Sequence, residues 1–247
     1  MAATYPIVIG GTGGSGTRLI AQMLMAAGVD LGRSVNGSLD ALAFVPLYDT
    51  YVDAYLRGES IDRSGFEEHL AASIRSHRGD RHAYPWGWKN PRSLFILSLL
   101  DGSLPDLRFI HVIRHGLDMA TSRNQNQLHL HGEALLGDDA NCVPQAIASA
   151  LLWQRANTNA ADYGEQNMPG RYWRVRYEDV CRDPTQALAP MLDGLSLAPP
   201  RDGWPQVKPS PARWRNMDPA LRDRLAEAIG GTMNRFGYTV SDVGLAG

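Results

Sequence analysis

Two kinds of side chain are scarce in this sequence of 247 residues. Its two cysteines, Cys142 and Cys181, are too few for a disulfide framework and lack the spacing of a zinc knuckle, so we expect reduced thiols in a cytoplasmic protein. Lysine occurs only at Lys89 and Lys208, and the other 22 of the 24 basic residues are arginine. No stretch approaches the roughly 20 apolar residues of a membrane span, so we expect no transmembrane segment.

The sequence also lacks an excess of charge of either sign. Its formal net charge is -2, which gives no reason to expect attraction to nucleic acid or to an anionic membrane. Any anion site must therefore be local. Since 44% of the residues are hydrophobic, the chain can bury a large core, and we expect one domain over residues 1–247.

Short apolar runs alternate with amphipathic segments along the chain. Strands are predicted at residues 7–9 and 107–113, because these runs are β-branched or apolar, and RYWRVRY, residues 171–177, is predicted as a third strand. This alternation predicts a three-layer α/β/α fold with a central, mostly parallel sheet and a P-loop-like phosphate-binding turn. Helices are predicted in the segments between the strands: up to Gly28, irregularly over 39–56, from a capping box at Ser64 and Glu67, from Asn90 over 91–100, over 116–128 and 144–163, and from Asp218.

The turn after the first strand reads GGTGGSGTR, residues 10–18. Successive N–H groups in such a turn form a concave anion site, and the following helix adds a partial positive charge. Gly11 and Gly16 have the spacing of a nucleoside triphosphatase loop, yet Thr17 and Arg18 replace the lysine and the hydroxyl residue that should follow. On its own the turn indicates either an anion site or tight packing of strand against helix.

Further basic residues lie where predicted strands and helices end. Arg114 leaves the carboxyl end of the strand over 107–113, and Ser122 follows eight residues later, about two helical turns on. Lys89 and Arg92 flank a predicted helix N-terminus, where they indicate either an anion site or a capped helix with two solvated charges. Two more segments with basic residues at such positions are RVRYEDV, residues 174–180, and KPSPARWRNMDP, residues 208–219.

Together these five segments resemble the sulfotransferases that use 3′-phosphoadenosine 5′-phosphosulfate (PAPS), especially their bacterial and Golgi-type branches. In that family a (Lys or Arg)-Ser-Gly-Thr loop binds the 5′-phosphosulfate, and residues 14–17 read Gly-Ser-Gly-Thr. In the same family an arginine and a serine eight residues after it bind the 3′-phosphate. Arg114 and Ser122 have that spacing here. Three further family segments are similar to WKNPR, RYEDV and ARWRN. All five segments occur in the family's order, from residue 7 to about 217.

The resemblance implies a donor site, with PAPS as co-substrate and no metal. One departure is that Gly14 stands where the family has a basic residue, so we expect Lys89, with Lys208 as the alternative, to supply the charge on the transferring sulfonate. The residues implied in donor binding are Gly13, Gly14, Ser15, Gly16, Thr17, Arg18, Arg114, Ser122, Tyr177, Arg213 and Arg215.

The resemblance also implies direct transfer to a hydroxyl or amine, which needs a general base. Asp40 is the leading candidate, Asp49 and Asp53 are alternatives, and an exposed residue in a first helical turn is an equal interpretation of Asp40. The acceptor, a small molecule, glycan or lipid, would meet residues 36–60 and 125–142.

Two histidines and two rival functions complete the sequence-based picture. His129 and His131 form no metal site without a third ligand and are interpreted as loop or surface residues, whereas His111 is expected within a buried strand. A P-loop kinase or nucleotide hydrolase would require ATP and Mg²⁺, and the missing loop lysine counts against it. A non-catalytic homologue would bind nucleotide without transferring a group.

Overall fold

A four-stranded parallel sheet forms the centre of the part of the chain that the computed structural model describes, which is residues 5–81, 85–208, 210 and 212–239. The strand order is β2-β1-β3-β4, so β1 and β3 are central. Because every pairing is parallel, the carboxyl ends of all four strands lie at one edge of the sheet. The strands are β1 (Pro6–Gly11), β2 (Trp86–Lys89), β3 (Arg108–Ile113) and β4 (Tyr172–Arg176).

Helices cover both faces of this sheet. The described residues form helices α1 (Thr17–Ala26), α2 (Val45–Leu56), α3 (Arg63–Arg78), α4 (Leu97–Ser103), α5 (Gly116–Ala120), α6 (Asn126–Leu136), α7 (Asp139–Cys142), α8 (Gln145–Asn167), α9 (Tyr177–Arg182), α10 (Pro184–Gly194) and α11 (Pro219–Arg235). Three short 3-10 helices lie at Leu42–Phe44, Pro91–Leu94 and Arg213–Asn216. Within the described residues, no helix has the length and apolar composition needed to cross a membrane.

The core divides according to the alternation of side chains along the strands. In β1, Val8 packs into a cluster with side chains of α2, α3 and α8, whereas Ile7 and Ile9 pack into a second cluster with side chains of α1 and α10. All three side chains are fully buried. The predicted three-layer α/β/α architecture is therefore confirmed, because both faces of the parallel sheet are covered by helices.

Several sequence-based boundaries differ from the structure. Asp62, not Ser64, caps α3, since its carboxylate accepts from the Ser64 N–H at 3.2 Å. Asn90 does accept from the Arg92 N–H at 3.0 Å, but the helix it opens is the short Pro91–Leu94 turn, and α4 begins at residue 97. The helix predicted over 116–128 is two helices, α5 and α6. β2 was missed, because its four residues form a very short run that lies directly before the predicted helix start at Asn90.

Candidate functional site

The glycine-rich turn lies at the carboxyl end of β1, between the sheet and α1. Its backbone reverses at Gly14 and Gly16, with φ of 93° and 98°, and the Ser15 N–H donates to the Thr12 carbonyl at 3.0 Å. Among the described residues, the N–H groups of Gly14, Gly16, residue 17 and residue 18 donate no hydrogen bond. These four donors are available to an anion at the N-terminus of α1.

Two hydroxyl groups of this turn are buried without a partner. Thr12 Oγ1 and Ser15 Oγ are both inaccessible to solvent, and neither finds a hydrogen-bond partner within the described chain. Ser15 Oγ lies beneath the turn, 2.7 Å from where a Cβ on Gly11 would stand. An unpaired buried hydroxyl costs about 1–3 kcal/mol, so the turn carries an energetic cost in this conformation.

The structure explains why residue 14 is glycine. At φ of 93° an L side chain is strained, and a Cβ there would stand 3.3 Å from Ser122 Oγ and 3.5 Å from the Met119 methyl carbon. Gly16 is more tightly constrained, because its Cβ would stand 2.2 Å from the ring of Tyr177. A basic side chain at position 14 would therefore meet both a strained backbone and an occupied space.

Lys89 ends β2 beside this turn and is 2% exposed. Its ammonium donates to the Ser38 carbonyl at 2.9 Å and forms a short ion pair with Asp40. Burial lowers the pKa of Lys89, the hydrogen bond to Asp40 opposes that decrease, and the positive charge of Arg18 adds to it. Arg18 itself is exposed on α1, so its charge acts on the same site from the solvent side.

Of the three carboxylates considered as general base, only Asp40 contacts Lys89. Asp49 pairs with Arg92, and Asp53 accepts from His131 Nδ1 at 2.6 Å. The Asp40 side chain is 21% exposed, so it is reachable from solvent while it holds the lysine. The structure thus brings together the two residues expected to be catalytic and separates the two alternatives from them.

Arg114 and Ser122 both lie next to Gly14, although α5 ends at Ala120 and the continuous helix expected between them does not form. Arg114 Nη1 donates to the Gly14 carbonyl at 3.4 Å, and its Nη2 donates to Asp118 at 2.8 Å. Its guanidinium also lies 4.7 Å from the ring centroid of Tyr177, and burial raises the pKa of that phenol to about 12. Arg114 Nε is buried without a hydrogen-bond partner among the described residues.

Trp214 anchors the segment that carries Arg213 and Arg215. The Trp214 N–H donates to Asp118 at 2.9 Å, and its ring stacks on His115 with centroids 4.6 Å apart. Arg213 and Arg215 flank this buried tryptophan and are exposed, near the end of β3. Lys208 is exposed.

Two contributors to the site were missed from the sequence. Gln127 of α6 accepts from the Gly13 N–H at 2.5 Å and donates to the Gly11 carbonyl at 3.4 Å, so it fixes the turn although it lies 114 residues from Gly13 in the sequence. No local pattern indicates that contact. Asp118 does have a signal, since it stands four residues after Arg114, the spacing of an ion pair on a helix.

The histidines considered from the sequence differ in their surroundings. His129 is exposed, whereas His131 is 4% exposed and bound to Asp53, so its interpretation as a loop or surface residue was wrong. His111 is fully buried as expected, with Nε2 donating to Asn157 and Nδ1 accepting from the Tyr172 hydroxyl. Across the described ranges, no group of three or more histidine, cysteine, aspartate or glutamate side chains has the geometry to hold a metal ion.

Known proteins share sequence features and the fold with this chain. A family model described as the sulfotransferase family matches residues 6–200. No curated protein sequence matches the chain.

Three solved structures share the fold at 14% identity and a TM-score of 0.56. A sulfotransferase domain from the curacin biosynthetic pathway aligns over 98% of this chain and 100% of its own. A sulfotransferase from Alicyclobacillus acidocaldarius aligns over 96% and 97%, and one from Mycobacterium avium over 96% and 78%. At this identity the likeness shows the fold alone.

Proposed function

Because the chain belongs to the sulfotransferase family, we propose that it transfers the sulfuryl group of PAPS to a hydroxyl or amine of an acceptor. The observation that carries this proposal is the buried Lys89–Asp40 pair beside the glycine-rich turn. A cation and a carboxylate in contact there supply the two functions that sulfuryl transfer requires of the protein. One compensates charge on the sulfonate and leaving phosphate, and the other accepts a proton.

The donor site uses the turn and the edge of the sheet. The turn and the start of α1 hold the 5′-phosphosulfate. This segment consists of Gly13, Gly14, Ser15, Gly16, Thr17 and Arg18. The unpaired N–H groups of that segment fit an anion with many acceptor oxygens. Gln127 keeps the turn in this conformation from behind.

The 3′-phosphate is proposed to lie where Arg114 and Ser122 meet across Gly14. Tyr177 packs against both the arginine and Gly16, so it connects the two phosphate positions. Arg213 and Arg215 add positive charge from the exposed side. This arrangement supports a nucleotide with phosphate at both its 3′ and 5′ positions.

PAPS supplies an activated sulfuryl group, and the residues of the chain position it and move a proton. As the acceptor oxygen bonds to sulfur, the bond between sulfur and the bridging phosphate oxygen breaks, and Asp40 takes the acceptor proton. Lys89, which uses two of its donors on Ser38 and Asp40, keeps a third for the sulfonate or the bridging oxygen. Lys89 thereby supplies the positive charge that a basic side chain at position 14 would supply.

The acceptor is proposed to meet the face formed by residues 36–60 and 125–142. These segments pack together, since α2 and α6 are joined by the bond between Asp53 and His131. Asp40 lies at the start of the first segment, beside Lys89. A small molecule, glycan or lipid that carries a hydroxyl is consistent with this position.

A thermal-shift comparison tests the donor and the rival functions together. We expect the product 3′-phosphoadenosine 5′-phosphate (PAP) to stabilise the protein by about 2.7 kcal/mol at a hundred times its Kd, whereas ATP with Mg²⁺ does not. Stabilisation by ATP with Mg²⁺ alone would support a kinase or hydrolase instead. Release of PAP from PAPS then separates an active transferase from a homologue that only binds.

A further inference from the structure

The loop of residues 34–42, here called the Asp40 loop, is folded as a narrow hairpin against the end of β2. The Leu42 N–H donates to the Ser34 carbonyl at 3.0 Å, and the Asn36 N–H donates to the Asp40 carbonyl at 3.1 Å. The loop is fastened to the sheet because the Ala41 N–H donates to the Lys89 carbonyl at 2.8 Å. The backbone therefore fixes where Asp40 stands relative to the lysine.

The tip of the Asp40 loop is held in an unfavourable conformation. Leu39 has φ of 65°, in the left-handed region that residues other than glycine rarely adopt. The Asn36 side chain supports this tip, since its Oδ1 accepts from the N–H groups of Ser38 and Asp40, both at 2.9 Å. A strained residue directly before Asp40 indicates that the position of the carboxylate is specified at an energetic cost.

The other end of the Asn36 side chain contacts the Asp40 carboxylate directly. Asn36 Nδ2 donates to Asp40 Oδ2 at 2.9 Å, while Lys89 donates to Oδ1. The two carboxylate oxygens are thus held by two different residues, which fixes the plane of the group. Neither Asp49 nor Asp53 has such a pair of contacts within the described residues.

We propose that Asn36 is a positioning residue that orients Asp40 to accept the proton of the acceptor at Oδ2. This inference rests on the proposed sulfuryl transfer. Oδ1 carries the lysine ammonium, whereas Oδ2 bears only a neutral amide donor and keeps a second lone pair. When the acceptor oxygen bonds to sulfur, its proton passes to Oδ2, the bond from sulfur to the bridging oxygen breaks, and PAP leaves. Asn36 is exposed, so this side of the carboxylate is open to an acceptor.

Two substitutions separate this role from support of the loop alone. Asn36→Ala removes all three side-chain bonds, whereas Asn36→Asp keeps an oxygen for the N–H groups of Ser38 and Asp40 but replaces the amide donor with a second carboxylate oxygen. Asn167→Asp is the matched control. Asn167 is exposed, donates through Nδ2 to the Tyr163 carbonyl at 3.0 Å, and ends α8, which leads to the amino end of β4.

The measurement is release of PAP from PAPS with water as the acceptor, together with the thermal midpoint of each variant. We expect kcat to fall about tenfold or more in both Asn36 variants, with the KM for PAPS within about twofold of wild type. Asn167→Asp should keep the wild-type kcat. A wild-type kcat in Asn36→Asp would overturn the positioning role and leave only a role in loop folding. Absence of PAP release by the wild-type protein, together with no stabilisation by PAP, would instead overturn the proposed function.

Discussion

Lys89 and Asp40 are 49 residues apart in the sequence and form a short ion pair in the structure. The lysine is buried at the end of β2, and the aspartate is held by a loop that is itself bonded to the lysine backbone. Each side chain therefore limits where the other can stand. This mutual constraint makes the pair suited to act on one transferred group.

Asp40→Asn should slow transfer about a hundredfold or more and leave binding of PAP nearly unchanged, because it removes a proton acceptor without removing a phosphate contact. Asp49→Asn and Asp53→Asn are the comparison variants, since their carboxylates face Arg92 and His131. Both should transfer at close to the wild-type rate. Steady-state PAP release checks all three, and full activity of Asp40→Asn would remove Asp40 from the role of base.

Gly14→Ala should destabilise the fold and also weaken binding of PAP. Gly28→Ala is a matched control at the far end of α1, because Gly28 has φ of 90° and a Cβ added there would meet no heavy atom within 4 Å. Both substitutions should lower the free energy of unfolding by about 1 kcal/mol through the left-handed backbone. Only Gly14→Ala should weaken PAP binding, as measured by calorimetric titration. Equal PAP affinities in the two variants would contradict the position given to the turn.

How much of the site the sequence could predict depends on where each residue stands. The turn, Arg114 and Tyr177 were predictable, because each follows a strand and the carboxyl ends of parallel strands share one edge. These are consequences of local pattern and of one topological rule. Ser122 is different, because α5 ends at Ala120 and Ser122 approaches Gly14 from outside any helix, not through a regular helical spacing.

The remaining contacts depend on long-range packing. Gln127 reaches the turn because α6 packs beside it, and β2, a run of only four residues, is recognised as a strand through its pairing with β1. The conformation of the Asp40 loop depends on the side-chain bonds of Asn36 and on the left-handed backbone of Leu39. No periodic pattern in the sequence indicates either feature. Residues with such contacts can be proposed from sequence only through a resemblance, as Asp40 was.

Ser122→Ala should weaken PAP binding about tenfold while changing stability by less than about 1 kcal/mol, since its hydroxyl accepts only from the exposed Asn124 N–H at 3.2 Å among the described residues. Thr121→Ala removes a neighbouring hydroxyl that bonds to the Leu117 carbonyl, and it should leave PAP affinity unchanged. Calorimetric titration with PAP compares the two. Arg114→Ala is less informative, because it leaves the buried Asp118 without its cation.

His111 should make stability sensitive to acid. Burial lowers its pKa from 6.5 to about 4, so the unfolded chain binds this proton at a higher pH than the folded chain does. The free energy of unfolding is therefore highest above pH 6.5 and decreases as the pH falls toward 4, by up to about 3 kcal/mol from this group. His111→Asn should flatten that dependence, as measured by urea unfolding across the range. An unchanged slope would show that His111 is not responsible.

Titration of Lys89→Ala with PAPS and with PAP tests the central claim, that Lys89 supplies the cation for the sulfonate. PAPS and PAP differ only in the sulfonate, so we expect this variant to lose about tenfold more affinity for PAPS than for PAP. It should also release no PAP from PAPS. The exposed Lys208, replaced by alanine, should behave as wild type toward both ligands. An equal loss for the two ligands, or a selective loss of PAPS affinity in Lys208→Ala, would contradict the role given to Lys89.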